Sequence, residues 1–436
     1  MTEKTSSNRI TVPQLVLPLP GGLDDTPLFN SNSPEIVLQS GVLLSTFPAA
    51  EKACPEAHLD HPVTGRFDVF FHHITDARKK PSKRTLYLGL LIGNSSTEEV
   101  HVRLLNAVSY LTKPDAPFVV LEPVMDNADG ELFAGPGDRV MLDSLRDCSQ
   151  EGWDNSITLA AYETKVVCSL PIPVGSVFHP LNGRTGLICF SSDGPVYLAA
   201  LSAFAQNRGF GQQRKPAIEN WLEILNTGAL VQPRDRVPTS PGASGELIYG
   251  RAAGIACGST WRGLITNNDQ QNAFSVVAGQ TVSYPLCTVV GGTLGTNQVQ
   301  SAPMAVRYPD TAYQAHGNYG VLYDLTLPLQ NNGDTTLSVS LGFQSPLKNS
   351  YETAVLRFFK QPPDAIVFRG SVKFAWKDKQ EKKQNKLIHL VQKQGQMQDS
   401  LVEFPLAPKE LLEVNFSLRY PADCTPPHVL TITARN

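Results

Sequence analysis

The chain has 436 residues, 41% of them hydrophobic and 18% charged, with a net charge of −3. That length calls for two or three cores, and the charge lacks the basic excess that phosphate neutralisation demands of a nucleic-acid binder. No apolar run reaches the ~18–20 residues a membrane-spanning helix needs, while 33 glycines and 33 prolines point to many turns and short strands.

Residues 1–35 are polar and turn-rich, as in LPLPGGLDDTPLFNSNSPE, and read as an extended N-terminal arm. The first residues, MTEKTSSNRITVPQL, hold no apolar segment of the signal-peptide kind. A β-rich domain is expected over residues 36–211. Its strands include RFDVFFHHI, TLYLGLLIGN and EVHVRLLNAVSYL, the last two separated by a polar turn. The basic segment ARKKPSKR reads as a solvated loop. DGELFAGPGDRVMLDSLRDCSQ reads as a turn leading into a short helix, and its glycines do not have phosphate-loop spacing. LICFSSDGPVYLAALSAF reads as a hairpin, with Asp-Gly at the turn.

PAIENWLEILNTG is the one clear helix, with Pro216 at its start, Gly228 at its stop and Trp221 on the apolar side. A Pro/Gly-rich connection follows, so residues 212–246 are expected to be a helix and linker, and residues 247–436 a second β-rich domain. Strands there include FSVVAGQTVSYPL, TLSVSLGFQ, AIVFRGSVKFAW, LIHLVQKQ, LLEVNFSLRY and HVLTITA. KDKQEKKQNK reads as a lysine-rich hairpin tip. LYLGLLIGNSSTEEVHVRLL in the first half resembles LYDLTLPLQNNGDTTLSVSL in the second, so the two domains are read either as related sandwiches or as sharing ordinary hairpin chemistry. The fold class is mainly β: two sandwich or jelly-roll-like units with one clear helix at the connection.

An ordered set of segments carries a family resemblance: FNSNSPEIV, GVLLSTFP, GRFDVFFHH, TLYLGLLIGN, SYLTKPDAPF, AGPGDR, LNGRT, PRDRVPT, YGRAAG, GTLGTNQVQSAPM, RYPDTAYQAHGNYG, HLVQKQGQ and TPPHVLTIT. Together they resemble the cyanobacterial domain of unknown function 3370 family over nearly the full chain. The resemblance implies a cyanobacterial source and an envelope or exported setting, and it brings no catalytic residues. The absence of a signal segment in this chain puts the exported setting in question.

Candidate chemistry concentrates in residues 292–325. Arg307, Asp310 and His316 are the first candidates for catalysis, because an Asp–His pair can orient an imidazole for acid–base work. The alternative is that Asp310 caps a turn and His316 bonds backbone. Tyr308, Tyr313, Tyr319 and Trp261 offer aromatic faces suited to sugar rings, or else pack between sheets. His58, His61 and His72 form a weak metal candidate. No motif calls for a cofactor, and none of the hydrolase, zinc-protease or nucleotide signatures is present. The seven scattered cysteines, an odd number, read as buried thiols in a reduced compartment or as including one disulfide.

The functional expectation is a non-enzymatic structural or binding protein of the envelope or extracellular matrix, with polysaccharide or other envelope proteins as partners. The alternatives are a carbohydrate-active hydrolase or lyase and an intracellular assembly component. Nothing in the sequence sets the oligomeric state.

Overall fold

In the strand Leu322–Gln330 every second side chain from Tyr323 to Leu329 is buried. Such period-2 alternation buries one face of a strand against a facing sheet; it recurs in Val355–Phe359 and Val402–Leu406, whereas Gly41–Ser45 and Leu86–Gly93 are buried on both faces. The structure, a computed structural model, describes residues 8–79, 84–174, 180–207, 212–267 and 272–436. It is mainly β and sandwich-like. Of the basic segment at 77–84, residues 80–83 lie outside the described residues.

Two large cores are present, one built mostly from the first half and one mostly from the second. The halves share a plan. In the first, Leu86–Gly93 pairs with Thr164–Ile172, while Val100–Leu111 pairs with Ser156–Leu159 and with Leu181–Phe204. In the second, Leu322–Gln330 pairs with Leu411–Arg419, while Leu337–Gln344 pairs with Val402–Leu406 and His428–Arg435. The strand–turn–strand segments that look alike in sequence are therefore not hairpins. In each, the turn carries the chain from one set of strands to another.

The turns are built alike. Asn94 donates from Nδ2 to the carbonyls of Glu98 (2.6 Å), Leu159 (3.3 Å) and Ala160 (3.1 Å), and its Oδ1 accepts from the Ser96 N–H (2.8 Å). Asn331 donates to the carbonyls of Thr335 (2.8 Å) and Leu406 (3.0 Å) and accepts from the Gly333 N–H (3.0 Å). Behind each asparagine sits the same closed turn. Glu163 Oε2 accepts from the Ala160 N–H (2.9 Å), and Glu410 Oε2 from the Ala407 N–H (2.7 Å). The same turn construction is present twice. Asn331→Ala strands buried carbonyls and is expected to cost about 1–3 kcal/mol, with Asn94→Ala costing a similar amount. Equal urea-midpoint shifts for the two variants would support the equivalence, and a loss in one alone would break it.

Strand pairing crosses the expected linker at 212–246 in both directions. Ala253–Cys257 lies between Pro27–Ser31 and Ala302–Arg307, and Val124–Asp126 adds an edge to Lys383–Lys393. The N-terminal arm is extended and also contributes strands. Arg9–Pro13 pairs with Val355–Phe359, Leu15–Val16 with Thr281–Leu286, and Pro27–Ser31 with Val63–Asp76.

The expected Asp-Gly hairpin at 187–204 does not form. Leu181–Phe204 is one long strand whose register shifts between Ser192 and Val196. Before the shift it pairs with Val63–Asp76 and Val100–Leu111, and after it with Leu86–Gly93. The apolar runs on both sides each find a sheet, so the chain bends from one to the other as in a sandwich corner. Asp193 Oδ1 accepts the His101 N–H (2.7 Å) there instead of turning the chain.

Two α-helices occur among the described residues, α1 (Pro136–Leu145) and α2 (Ile218–Thr227). α2 is the expected helix, and α1 forms where a short helix was expected. Trp221 of α2 is buried on Gly89, where a Cβ would come within 2.8 Å of the indole. α1 packs against strands of both halves.

Candidate functional site

Leu28, Asn30 and Asn32 point to one side of an extended segment. Leu28 enters the core, but the same side then opens on a cavity of about 320 Å³ lined by Asn30, Asn32, Tyr249, Arg251, His316 and Lys348 among others. The segments lining it come from far apart in sequence, from residue 30 to residue 426. Tyr319, Asn318 and Cys424 complete part of the wall. Asn318 fixes the 316–319 turn. Its Nδ2 donates to the Gln300 carbonyl (2.8 Å) and Tyr323 Oη (3.0 Å), and its Oδ1 accepts from the Ala302 N–H (2.9 Å).

The lining is polar and incompletely paired. Asn30 and Asn32 are only 2% and 4% exposed, and Oδ1 of each has no hydrogen-bond partner among the described residues. Nδ1 of His316 is likewise buried and unpartnered. Buried polar atoms are nearly always paired, so three such atoms around one cavity mark a place where a ligand or water supplies the partners.

The His316 ring lies 4.7 Å from the Tyr249 ring at 54°, giving the cavity an angled aromatic wall. Burial, helped by the charge of Lys348, pushes the His316 pKa down to about 4, so the imidazole is neutral at pH 7 and offers one donor and one acceptor. Tyr249 Oη donates to the Val290 carbonyl (2.6 Å) and accepts from the Lys348 ammonium, which also sits 4.5 Å from the ring centre. Burial lowers the pKa of Lys348. Arg251 is neutralised by Glu35 at 2.6 Å. Among the described residues no Asp or Glu lines the cavity. Amides, one neutral imidazole, an aromatic wall and an ammonium can hold hydroxyls and an apolar ring face together.

A family model described as protein of unknown function (DUF3370) matches residues 14–434. The chain belongs to the DUF3370 family. No curated protein matches it. Among solved structures, the DUF3370 chain is matched to Lac15 from a marine microbial metagenome at 10% identity and TM-score 0.10, covering 83% of this chain and 51% of that one. It thus spans about half of Lac15. A deletion mutant of Bacillus subtilis oxalate decarboxylase matches at 8% identity and TM-score 0.09, covering 90% of this chain and 76% of that one. At such scores neither likeness carries an argument about fold or activity.

Of the residues singled out in the sequence, His316 and Tyr319 reach the cavity of the DUF3370 chain. Asp310 does not join His316. Its Oδ2 accepts from Arg234 Nε (3.0 Å), and Arg234 is itself tied to the Ser33 carbonyl (3.1 Å). Arg307 closes the 308–311 turn by donating to the carbonyls of Tyr308 (2.9 Å), Pro309 (3.1 Å) and Thr311 (2.5 Å), and it stacks 3.7 Å over Tyr313. The polar residues of that turn hold chain to chain.

The expected aromatic faces are mostly spent on packing. Tyr308 is buried, donating to the Ala57 carbonyl (2.7 Å) and accepting the Ser45 N–H (3.0 Å). Trp261 is buried, bonds the Pro20 carbonyl (3.0 Å) and stacks on Tyr323. Tyr313 meets Ser240 Oγ (3.3 Å), and Tyr319 bonds the Cys424 carbonyl (3.1 Å).

The histidines of the metal candidate serve separate partners. His58 Nδ1 meets Ser45 Oγ and His72 Nδ1 meets Thr185 Oγ1, both at 2.8 Å, while His61 is tied by its backbone N–H to the Thr46 carbonyl (2.9 Å). Among the described residues no three His, Cys, Asp or Glu side chains converge to hold a metal.

Sequence reasoning missed Asn30, Asn32, Tyr249 and Lys348. One signal was available, since Asn-x-Asn next to Leu-Phe in a β-type segment places two amides on a face that should otherwise be apolar.

A second polar cluster is sealed inside. Asp138 of α1 accepts on Oδ2 from the Ala134 N–H (2.8 Å) and meets His389 Nε2 at 2.7 Å, both side chains being essentially unexposed. Asp423 lies beside Gly137, and burial raises its carboxyl pKa to about 6.

Proposed function

We propose that the chain is a non-enzymatic binding protein that holds a sugar unit of a polysaccharide in the cavity around Asn30, Asn32, Tyr249 and His316. The observation that carries this reading is the pair of buried, unpartnered asparagines facing an aromatic wall. Vicinal hydroxyls satisfy amides, and the CH face of a sugar ring packs on an aromatic side chain. A volume of about 320 Å³ suits one terminal or branching unit rather than a long chain segment. Glycoside cleavage normally takes two carboxyl groups ~5–10 Å apart, and the carboxyl-free lining of the cavity weighs for binding over hydrolysis. The family resemblance supports an envelope or extracellular-matrix setting in a cyanobacterium. A second reading, an intracellular assembly component, is favoured by the seven unbonded cysteines. Fractionation of native cells decides between the two settings.

Titration of the full chain with an oligosaccharide panel, followed by calorimetry, is expected to give saturable binding. Asn30→Ala with Asn32→Ala is expected to weaken it about 10-fold or more. The melting temperature is expected to hold or rise, because these amides contribute no internal hydrogen bond through Oδ1. A double variant that melts lower, together with no binding by the parent chain, would show the amides to be structural and end the proposal.

A further inference from the structure

The charges around the same cavity do not balance. Two cations line it, Arg251 and Lys348. Arg251 is compensated by Glu35 at 2.6 Å, with Asp235 at 3.9 Å as a second carboxylate. Lys348 has no carboxylate within ion-pair distance among the described residues. Its ammonium meets the hydroxyl and ring of Tyr249. Burial is what acts on its pKa, with no neighbouring acid opposing it. His316 across the wall is held neutral, partly by that same ammonium. An exposed cation with no counter-charge is free to meet an anion that enters beside it, and a charge placed so sets ligand preference and salt dependence.

We infer that the cavity selects a sugar carrying one anionic group, a carboxylate or a sulfate ester, with Lys348 binding the anion while Asn30, Asn32 and His316 take the ring hydroxyls. This rests on the cavity being a sugar site and adds which sugars it prefers. The geometry is consistent with one anion and not two, since Arg251 is already occupied. It is also consistent with a ring entering against the Tyr249–His316 wall, because the ammonium lies beside that wall at 4.5 Å from the Tyr249 ring centre. Lys348 is held in place by its contact with Tyr249 and by packing on Gly292, where a Cβ would come within 2.5 Å of the lysine stem. The stem is thus positioned, although the residue as a whole is exposed.

The test uses calorimetric titration of the full chain with glucuronic acid, glucose 6-sulfate and glucose, repeated with Lys348→Met and Lys348→Arg. One or both anionic probes are expected to bind at least 10-fold tighter than glucose. That margin is expected to vanish in Lys348→Met, to survive in Lys348→Arg, and to shrink with added salt. The carboxylate and sulfate arms show which anion the site takes. Equal binding of all three sugars, unchanged by Lys348→Met, would overturn the selection while leaving the sugar site intact. Binding of none of them would overturn both. Unchanged melting of Lys348→Met confirms that a lost margin reflects the charge and not a lost fold.

Discussion

Between pH 7 and pH 5 the fold is expected to lose on the order of 6 kcal/mol of stability. The cause is three fully buried histidines. Burial pushes the pKa of His72 to about 4 and those of His73 and His428 to about 3. Each ring is neutral and hydrogen-bonded: His72 to Thr185 Oγ1 (2.8 Å), His73 to Ser31 Oγ (2.9 Å) and the Pro34 carbonyl (2.9 Å), and His428 to Ser345 Oγ (2.8 Å). In the unfolded chain the same rings titrate near pH 6.5. Below that pH the unfolded state takes up protons that the native state refuses until about pH 4 or 3. Stability is therefore full above pH 6.5 and falls as the pH drops, by about 2 kcal/mol per ring at pH 5.

His58 and His316, each lowered to about 4, act in the same direction. Asp423 acts in the opposite one. With its native pKa raised to about 6 it binds a proton more tightly when folded, which offsets about 1 kcal/mol at pH 5. A total of this size is comparable with the 5–15 kcal/mol that holds an ordinary domain together. Urea unfolding at pH 7 and pH 5 measures the loss, and His428→Asn should lower the proton uptake on unfolding by about one. A stability that stays flat over this range would refute the account.

Asp138→Ala is expected to cost about 2–4 kcal/mol, because it leaves the buried Ala134 N–H and the His389 ring without their partner. Asp138 stands in the first turn of α1, and its carboxylate serves two elements at once. It accepts the Ala134 N–H ahead of the helix and meets His389 on the strand Lys383–Lys393. Because α1 also packs on strands of the first half, this contact joins the two sandwiches from inside. Asp138→Asn keeps an acceptor for both partners and should cost clearly less than the alanine variant. A double-mutant cycle with His389→Ala should return a coupling above 1 kcal/mol. Additive effects would show that the two side chains are merely neighbours.

The fold was legible in the chain wherever a pattern is local. Alternating runs such as LLEVNFSLRY, the Pro216-to-Gly228 helix and the lysine-rich tip at Asp378–Lys382 lie where periodicity and turn chemistry put them. The likeness of the two Asn-headed turns was visible too, because Asn94 and Asn331 stand before short polar segments of like composition. What a local pattern does not carry is the choice of pairing partner. Asp-Gly at 193–194 has good turn chemistry, but the apolar runs around it are better buried by extending into two sheets. Asp310 and His316 are six residues apart, but Arg234, 76 residues before Asp310, takes the carboxylate.

The sequence by itself determined a mainly β, sandwich-like protein and the helix at 218–227, because strand alternation, capping and turn preference act over a few residues. Only the tertiary structure decided the candidate site. Asn30, Tyr249, His316 and Lys348 are brought together by strand pairing across hundreds of residues. The unpartnered amides exist as a feature only once the chain around them is buried and paired, and the Lys348 ammonium is set beside them by the fold.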